Sequence, residues 1–253
     1  MSWSVIVENV SFALVSLAIV AASIAVSVLF ERIARKRRGG TERILSTRKM
    51  AVIGLFSAIS AILFIWDFPV FFAPSFYKLD LSELPALIAA FAYGPVAGLL
   101  IEFFKILIKL TVKASSTALV GELANYVVGA SFLLPASLLY QFKKTRKRAI
   151  LSCVTGTLVM TVFGSVFNAV YLLPAFSNLY HMPLDQIIAM GTKINGGITD
   201  ITTFVILAVA PLNLLKGAVV SLITILVYKK ISPILKNENA SGTETKKVGQ
   251  VGD

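Results

Sequence analysis

Long stretches without a charged residue constrain the fold of this chain more than any other feature. They cover residues 10–30, 50–66, 84–101, 123–142 and 149–180. A helix needs about 20 predominantly apolar residues, with a range of roughly 17–25, to cross the hydrocarbon core of a bilayer. Several of these blocks meet that length, and the mean hydropathy of +0.82 is too high for a soluble domain. The blocks therefore predict an integral membrane protein.

The positive charges indicate on which side of the membrane the loops between the apolar blocks lie. Of the 24 Lys and Arg residues, eight lie in 32–49, five in 143–148 and five in 229–247. Such clusters beside apolar blocks are typical of cytoplasmic loops. Anionic lipid is a sufficient partner for them, so the net charge of +11 does not indicate nucleic acid. The pattern predicts a multi-pass protein of the plasma membrane, with its N-terminus outside and its C-terminus in the cytoplasm.

The blocks divide the chain into four regions. Residues 1–30 are expected to form an additional N-terminal transmembrane helix, and residues 31–47 a basic cytoplasmic linker. Residues 48–230 would form a six-helix membrane core, and the polar residues 231–253 a disordered cytoplasmic tail. The predicted fold class is an all-α integral membrane protein of six core helices plus one. The alternating ten-residue strands of a transmembrane barrel are not present.

Little in the sequence indicates catalysis, a metal or a cofactor. Cys153 is the single cysteine and His181 the single histidine, so neither a disulfide nor a metal site can be argued. No phosphate-binding loop or dinucleotide motif is present. We therefore predict no enzyme activity. A membrane-embedded enzyme for lipid or prenyl substrates, with Glu102 and Glu122 as acid and base, remains an alternative, as does a purely structural subunit.

Polar side chains inside the apolar blocks are the candidate binding residues, because lipid offers them no hydrogen-bond partner. Asn213 and Lys216 are three residues apart and face the same way on the last helix. Asn168 lies deep in the fifth core block, and Asn125 lies near the outer end of the fourth. Lys216 is about twelve residues, roughly 18 Å, from the basic end of its helix, too far to reach the interface. Carboxamides and an ammonium suit an uncharged heterocycle better than an inorganic ion.

A second polar group consists of charges on one helix face and in the loop before it. The helix residues follow each other at spacings of 3, 4 and 4, so they share one face. They are Glu102, Lys105, Lys109 and Lys113. Their predicted role is structural pairing, with one another or with the acids of the loop "FYKLDLSELP" (76–85), rather than ligand contact. Ser82 is expected to cap the helix that follows this loop.

Small residues on the first core helix are spaced four apart. They form the pairs Gly54/Ala58 and Ser57/Ala61. Such pairs allow helix backbones to approach closely. The interpretations are packing inside the bundle or a docking face for another membrane subunit.

Three stretches resemble a known family. They are "FYKLDLSELPALIAAFAYGPVAGLLIEFFK", "GELANYVVGASFLLPASLLY" and "GTLVMTVFGSVFNAVYLLP". They are similar to the riboflavin-specific S components, the RibU type, of energy-coupling factor (ECF) vitamin transporters. The likeness covers about residues 48–230. It implies a six-helix protein that binds riboflavin under an outer loop and works with a membrane T component and two cytoplasmic ATPases.

The resemblance also implies roles for individual residues. Asn168, Asn213 and Lys216 look like the groups that hydrogen-bond the edge of the isoalloxazine ring. The lid segment corresponds to Tyr77, Lys78, Leu79 and Asp80. Phe76, Tyr77 and Leu79 are expected to contact the ligand, with the aromatic side chains of Phe76 and Tyr77 over the rings. Lys78, Asp80, Glu83, Glu102, Lys105 and Glu122 are expected to form ion pairs that hold the lid, and Gly54, Ser57, Ala58 and Ala61 to dock the T component.

Departures from the family pattern leave two points open. The helix of residues 1–30 lies outside the six-helix core, and its role is not given by the resemblance. The outer loop of residues 174–196 is longer than usual. That length leaves flavin mononucleotide or a different vitamin as an alternative ligand.

Overall fold

The computed structural model describes residues 3–37, 44–115, 117, 119–179 and 181–248. These residues form an almost entirely helical bundle. The long helices are α1 (Trp3–Arg37), α2 (Thr47–Ile65), α3 (Glu83–Tyr93), α4 (Pro95–Val112), α5 (Val120–Phe142), α6 (Arg146–Phe167) and α10 (Ala210–Val248). The short ones are α7 (Leu173–Leu179), α8 (Leu184–Thr192) and α9 (Ile201–Phe204).

Two pairs of consecutive helices are joined by a turn of π-helix. Asn168–Leu172 joins α6 to α7, and Val205–Val209 joins α9 to α10. A π turn inserts one residue into the helical ladder and changes which side chains face inward, and such turns are frequent at functional sites. Both turns contribute side chains to the cavity described below.

The predicted all-α membrane fold is confirmed. In the part of the chain that the structure describes, five segments are long and apolar enough to cross a membrane. They are Leu17–Lys36, Thr47–Ile65, Val120–Phe142, Arg146–Asn178 and Ile201–Tyr228. The two remaining long helices do not meet these criteria. Helix α3 has only 11 residues, and α4 carries buried charged side chains. The count of six core helices plus one therefore stays a prediction.

Close packing between helices depends on small residues. Gly156 of α6 lies against the carbonyl oxygen of Phe132 on α5, which a Cβ would approach to 2.8 Å. Gly217 of α10 lies against Thr157 of α6, where a Cβ would be 2.7 Å from the nearest side-chain atom. The missing Cβ atoms let these backbones approach closely. As a result, α6 is held tightly between α5 and α10.

The outer loop between α2 and α3 contains a small antiparallel hairpin. Strand β1 (Phe68–Pro69) pairs with β2 (Lys78–Leu79), with Phe68 opposite Leu79. Tyr77 and Ala73 of this loop are buried in an apolar cluster with Phe176, Ile187 and Phe204. The loop is therefore folded onto the helices rather than extended into solvent.

The ends of the predicted regions differ from the helices observed. The first helix continues through the basic residues to Arg37, beyond the predicted boundary at residue 30. The last helix continues to Val248, through most of the tail expected to be disordered. After Pro233 that tail has no proline to interrupt the helical ladder. The outer loop 174–196 contains the helix α8, which the sequence does not predict. Residues 38–43 of the linker and 249–253 of the tail lie outside the described residues.

Candidate ligand-binding site

A cavity of about 270 Å³ lies beneath the outer loop, between the loop and the helices. Its walls combine aromatic side chains from the loop with polar side chains from α5, the first π turn and α10. The lining residues include Phe76, Tyr77, Asn125, Asn168, Asn213 and Lys216. All six were predicted as binding residues. Leu79, the seventh, is not in the lining and packs instead against the apolar cluster of the outer loop.

Asn168 is the first residue of the π turn and is 3% exposed. Its Oδ1 accepts a hydrogen bond from the Tyr77 hydroxyl at 2.7 Å. Its Nδ2 donates to the carbonyl oxygen of Gly164, also at 2.7 Å. The two bonds define the orientation of the amide. Burial raises the pKa of the Tyr77 hydroxyl above its ordinary value, so that hydroxyl remains a neutral donor.

Two amide atoms in the cavity wall have no hydrogen-bond partner within the described residues. They are Nδ2 of Asn213, a donor, and Oδ1 of Asn125, an acceptor. A buried polar atom without a partner costs about 1–3 kcal/mol. Such atoms in a cavity wall fit a ligand that supplies the complementary acceptor and donor.

Lys216 lies between the cavity and two carboxylates. Its Nζ is 3.0 Å from Oδ2 of Asp80 and 2.8 Å from Oε1 of Glu83. An ammonium has three donors, so one remains for a group inside the cavity. The sequence predicted that Lys216 faces either a cavity or a partner, and in the structure it does both.

Asp80 connects the loop to the rest of the site. Its Oδ2 also accepts from Nδ2 of Asn125 at 3.3 Å. Its Oδ1 accepts from the backbone N–H and the hydroxyl of Ser82, at 3.0 and 2.5 Å. Burial alone would raise the pKa of Asp80, but the positive charges of Lys216 and Lys105 and the Ser82 hydrogen bonds outweigh it, so the pKa lies below its ordinary value.

The Ser82 hydroxyl does not cap α3, contrary to the prediction. Ser82 has helical dihedral angles, and its side chain makes no capping hydrogen bond. The hydroxyl instead accepts from Lys105 Nζ at 2.6 Å while it donates to Asp80. A bridge between two buried charges is available only because α4 brings Lys105 against the start of α3, which the local sequence does not show.

Lys105 holds together the acids behind the cavity. Its Nζ lies 2.6 Å from Oε2 of Glu102 and 3.3 Å from Oε1 of Glu83, and the Lys105 side chain is completely buried. The carboxylate of Glu102 fits against Gly129 of α5, where a Cβ would be 2.6 Å from Oε2. The predicted structural pairing is thus present, although none of Glu83, Glu102 and Lys105 lines the cavity.

A separate ion pair also lines the cavity. Lys109 Nζ contacts Oε1 of Glu122, and Oε2 of Glu122 accepts from the hydroxyls of Ser115 and Thr117 at 2.8 and 3.1 Å. Within the outer loop between α2 and α3, Lys78 Nζ lies 3.0 Å from Oδ2 of Asp67. Sequence reasoning missed Asp67, although it is the first acid after the apolar block of α2.

The four small residues of α2 do not share one surface. Ser57 and Ala61 are each 1% exposed, and the Ser57 hydroxyl donates to the carbonyl oxygen of Ile53. Gly54 is exposed, with no neighbouring atom within 4 Å of an added Cβ, and Ala58 is half-buried. Of these four residues, Gly54 and Ala58 are therefore the two that a docking partner could contact.

An all-α membrane bundle with this cavity defines a membrane-embedded binding protein for a small ligand that has a polar edge. Within the described residues, no group of three His, Cys, Asp or Glu side chains is arranged to hold a metal ion. The polar groups are set out for hydrogen bonding to a ligand rather than for chemistry on it.

Comparison with known proteins identifies the family. Residues 48–228 match the family described as "ECF transporter, substrate-specific component", and the chain belongs to it. The chain is 32% identical to the riboflavin transporter RibU of Staphylococcus aureus (strain TCH60), over 75% of this chain and 93% of that protein. It is 29% identical to the riboflavin transporter FmnP of Bacillus subtilis (strain 168), over 78% of this chain and 98% of that protein.

A solved structure agrees with these relatives. It is described as the S component of a bacterial ECF transporter, and it covers 75% of this chain and 98% of its own, with 33% identity and a TM-score of 0.59. The protein is therefore a multi-pass membrane component of a transporter and not an enzyme. The predicted family and the all-α membrane fold are confirmed.

Proposed function

We propose that this protein captures riboflavin outside the cell and delivers it for ATP-driven uptake. The observation that carries the proposal is the cavity itself, in which a wall of three asparagines and Lys216 faces the aromatic side chains of the lid. Relatives covering about three quarters of the chain are riboflavin transporters. Riboflavin would be a transported ligand and not a cofactor.

The aromatic side of the cavity suits a flat ring system. The Phe76 and Tyr77 rings have centroids 4.8 Å apart. Phe76 packs against Phe176 at 5.6 Å, and Tyr77 packs against Phe204 at 6.0 Å. Because their neighbours hold these rings, they can cover an isoalloxazine with little loss of side-chain freedom.

The polar side of the cavity suits the edge of the same ring. The Asn213 Nδ2 and the third Lys216 donor can bond to ring carbonyl oxygens or nitrogens, while Asn125 Oδ1 can accept from a ring N–H. The wall offers donors and acceptors side by side, and most of its charges are already paired. It therefore supports a neutral heterocycle rather than an ion.

Flavin mononucleotide is a second candidate, and one residue favours it. Lys113 is exposed among the residues lining the cavity and has no ion pair within the described part of the chain. A phosphate at the end of the ribityl chain would find a cation there. Comparing the affinities of the two flavins in wild-type protein and in Lys113→Ala distinguishes the candidates.

The energy for uptake would come from partner subunits, because ECF substrate-specific components work with a membrane T component and ATPases. We propose two cytoplasmic ATPases, and a T component that docks on the exposed face of α2 at Gly54 and Ala58. ATP hydrolysis would reorient this protein in the bilayer to release the vitamin. The basic clusters would contact anionic lipid, with the N-terminus outside and the C-terminus in the cytoplasm.

Titration of the purified protein with riboflavin tests the proposal. Burial of the isoalloxazine between aromatic rings should quench flavin fluorescence at micromolar protein. The variant Asn213→Ala, which removes an unpartnered donor and leaves the internal hydrogen bonds in place, should bind riboflavin more weakly. Unchanged fluorescence with wild-type protein, together with no flavin in the purified sample, would reject riboflavin as the ligand.

A further inference from the structure

Helix α1 lies outside the residues that match the family, 48–228, yet it packs against α4 and α5. The face it turns to them combines the apolar side chains of Ile19, Val20 and Ile24 with buried polar ones. Ser27 is 0%, Glu31 3% and Ala34 5% exposed. With Ser23, these residues recur every three or four positions, so they form one stripe along the helix. A helix held only by lipid would not bury a carboxylate and a hydroxyl on one face.

The first specific contact joins α1 to α5. The hydroxyls of Ser23 and Tyr126 are 2.6 Å apart, and Tyr126 is 1% exposed. Tyr126 follows Asn125, whose carboxamide is in the cavity wall. A shift of α1 would therefore act on the turn of α5 that presents Asn125.

The second contact joins α1 to the start of α4. Oε2 of Glu31 accepts from the backbone N–H of Val96 at 3.4 Å, in the first turn of α4. The carboxylate lies against Gly94, where an added Cβ would be 2.5 Å from Oε2, and the φ of +116° at this position favours glycine. A negative charge is favourable at this end of a helix. Arg35, 2.5 Å from Oε1, keeps the charge paired.

We propose that α1 is a positioning element that sets the placement of α4 and α5, with Ser23 and Glu31 as the residues through which it acts. These two helices contribute Lys109, Glu122 and Asn125 to the cavity. The effect of α1 on ligand binding rests on the proposed function, whereas the docking of α1 on the bundle is independent of that function.

The test uses the full chain with a protease site placed in residues 38–43 and a tag at the C-terminus. After cleavage in detergent, α1 should remain with the tagged bundle in the wild type. The double variant Ser23→Ala/Glu31→Ala should release it. Lys36→Ala, an exposed change on the same helix, is the control and should retain α1. Release of α1 from the wild-type protein would overturn the proposal.

The second readout is the rate of riboflavin dissociation from uncut protein, well below the melting temperature. In Ser23→Ala/Glu31→Ala it should rise by about three- to tenfold, the scale of one or two lost polar contacts. In Ser23→Ala/Glu31→Gln, which keeps an acceptor for the Val96 N–H, it should rise less. An unchanged rate in the first variant would overturn the positioning role. If wild-type protein binds no riboflavin, the proposed function fails, and retention of α1 still decides the docking.

Discussion

The hydroxyl of Tyr77 donates to Oδ1 of Asn168 across 2.7 Å and so ties the outer loop to the π turn after α6. Both residues belong to the set proposed to contact the flavin. Because the amide of Asn168 also donates to Gly164, its orientation is set before a ligand arrives. The loop is thus held closed by the same groups that line the cavity. Ligand exchange must compete with this bond.

Tyr77→Phe should speed riboflavin dissociation by about two- to tenfold, since one neutral hydrogen bond contributes about 0.5–1.5 kcal/mol. The aromatic ring and its contacts with Phe76 and Phe204 stay in place. Stopped-flow recovery of flavin fluorescence measures the rate. Tyr140→Phe, which removes a hydroxyl bonded to Tyr228 away from the cavity, is the matched control. Equal rates in wild type and Tyr77→Phe would show that this bond does not hold the loop.

Asp80→Asn should both destabilise the protein and loosen the loop. The change leaves Lys216 with Glu83 as its single carboxylate partner among the described residues. Removing one partner of a buried ion pair typically costs about 3–5 kcal/mol. We expect a lower melting temperature and faster riboflavin release. Lys78→Gln, which breaks a partly exposed pair in the same loop, should change both much less. A melting temperature equal to that of the wild type would contradict the assignment.

The pKa of Asp80 predicts how stability depends on pH. Its pKa in the folded protein lies below the ordinary value of 3.8. The stabilisation is therefore fully present above the ordinary pKa and is lost as pH falls through the depressed folded value. Between pH 8 and 5, the difference in melting temperature between wild type and Asp80→Asn should stay constant. At lower pH the difference should shrink. A difference that grows on acidification would show that Asp80 is not the ionised partner.

Asn213→Ala should weaken riboflavin binding by about tenfold without lowering stability. The Nδ2 of Asn213 has no partner within the described residues, so its removal breaks no internal hydrogen bond and relieves a desolvation cost. Isothermal titration and a thermal melt measure the two effects. Ser152→Ala removes another unpartnered buried group outside the cavity and should leave affinity unchanged. Normal uptake by cells expressing Asn213→Ala would favour a purely structural subunit.

Gly54→Trp should separate capture from transport. Gly54 is exposed and a Cβ added there meets nothing within 4 Å, so folding and riboflavin binding should be unchanged. A T component docked on that face would be displaced, and uptake in cells should fall to background. Val162→Trp, at an exposed position on α6, is the control and should transport normally. Full uptake with Gly54→Trp would place the docking face elsewhere.

The membrane fold and most of the candidate site follow from the sequence, because lipid provides no hydrogen-bond partner. A continuous apolar block of about 20 residues crosses the bilayer as a helix, which satisfies its backbone hydrogen bonds within the segment. For the same reason, Asn168, Asn213 and Lys216 had to face a cavity or a partner. These inferences depend on the composition of single segments. They did not require knowing how the segments pack.

Tertiary structure alone decided which partners the polar groups have at long range. Lys216 meets Asp80 across 136 positions of the chain, and Glu31 reaches the start of α4 across 65. Ser57 and Ala61 are buried, although the family likeness indicated a docking role, and Leu79 does not line the cavity, although the same likeness placed it at the ligand. The rotation of each helix about its axis and the distance to its neighbour set these contacts. Both are determined by side chains from several helices packing at once, which no single segment specifies.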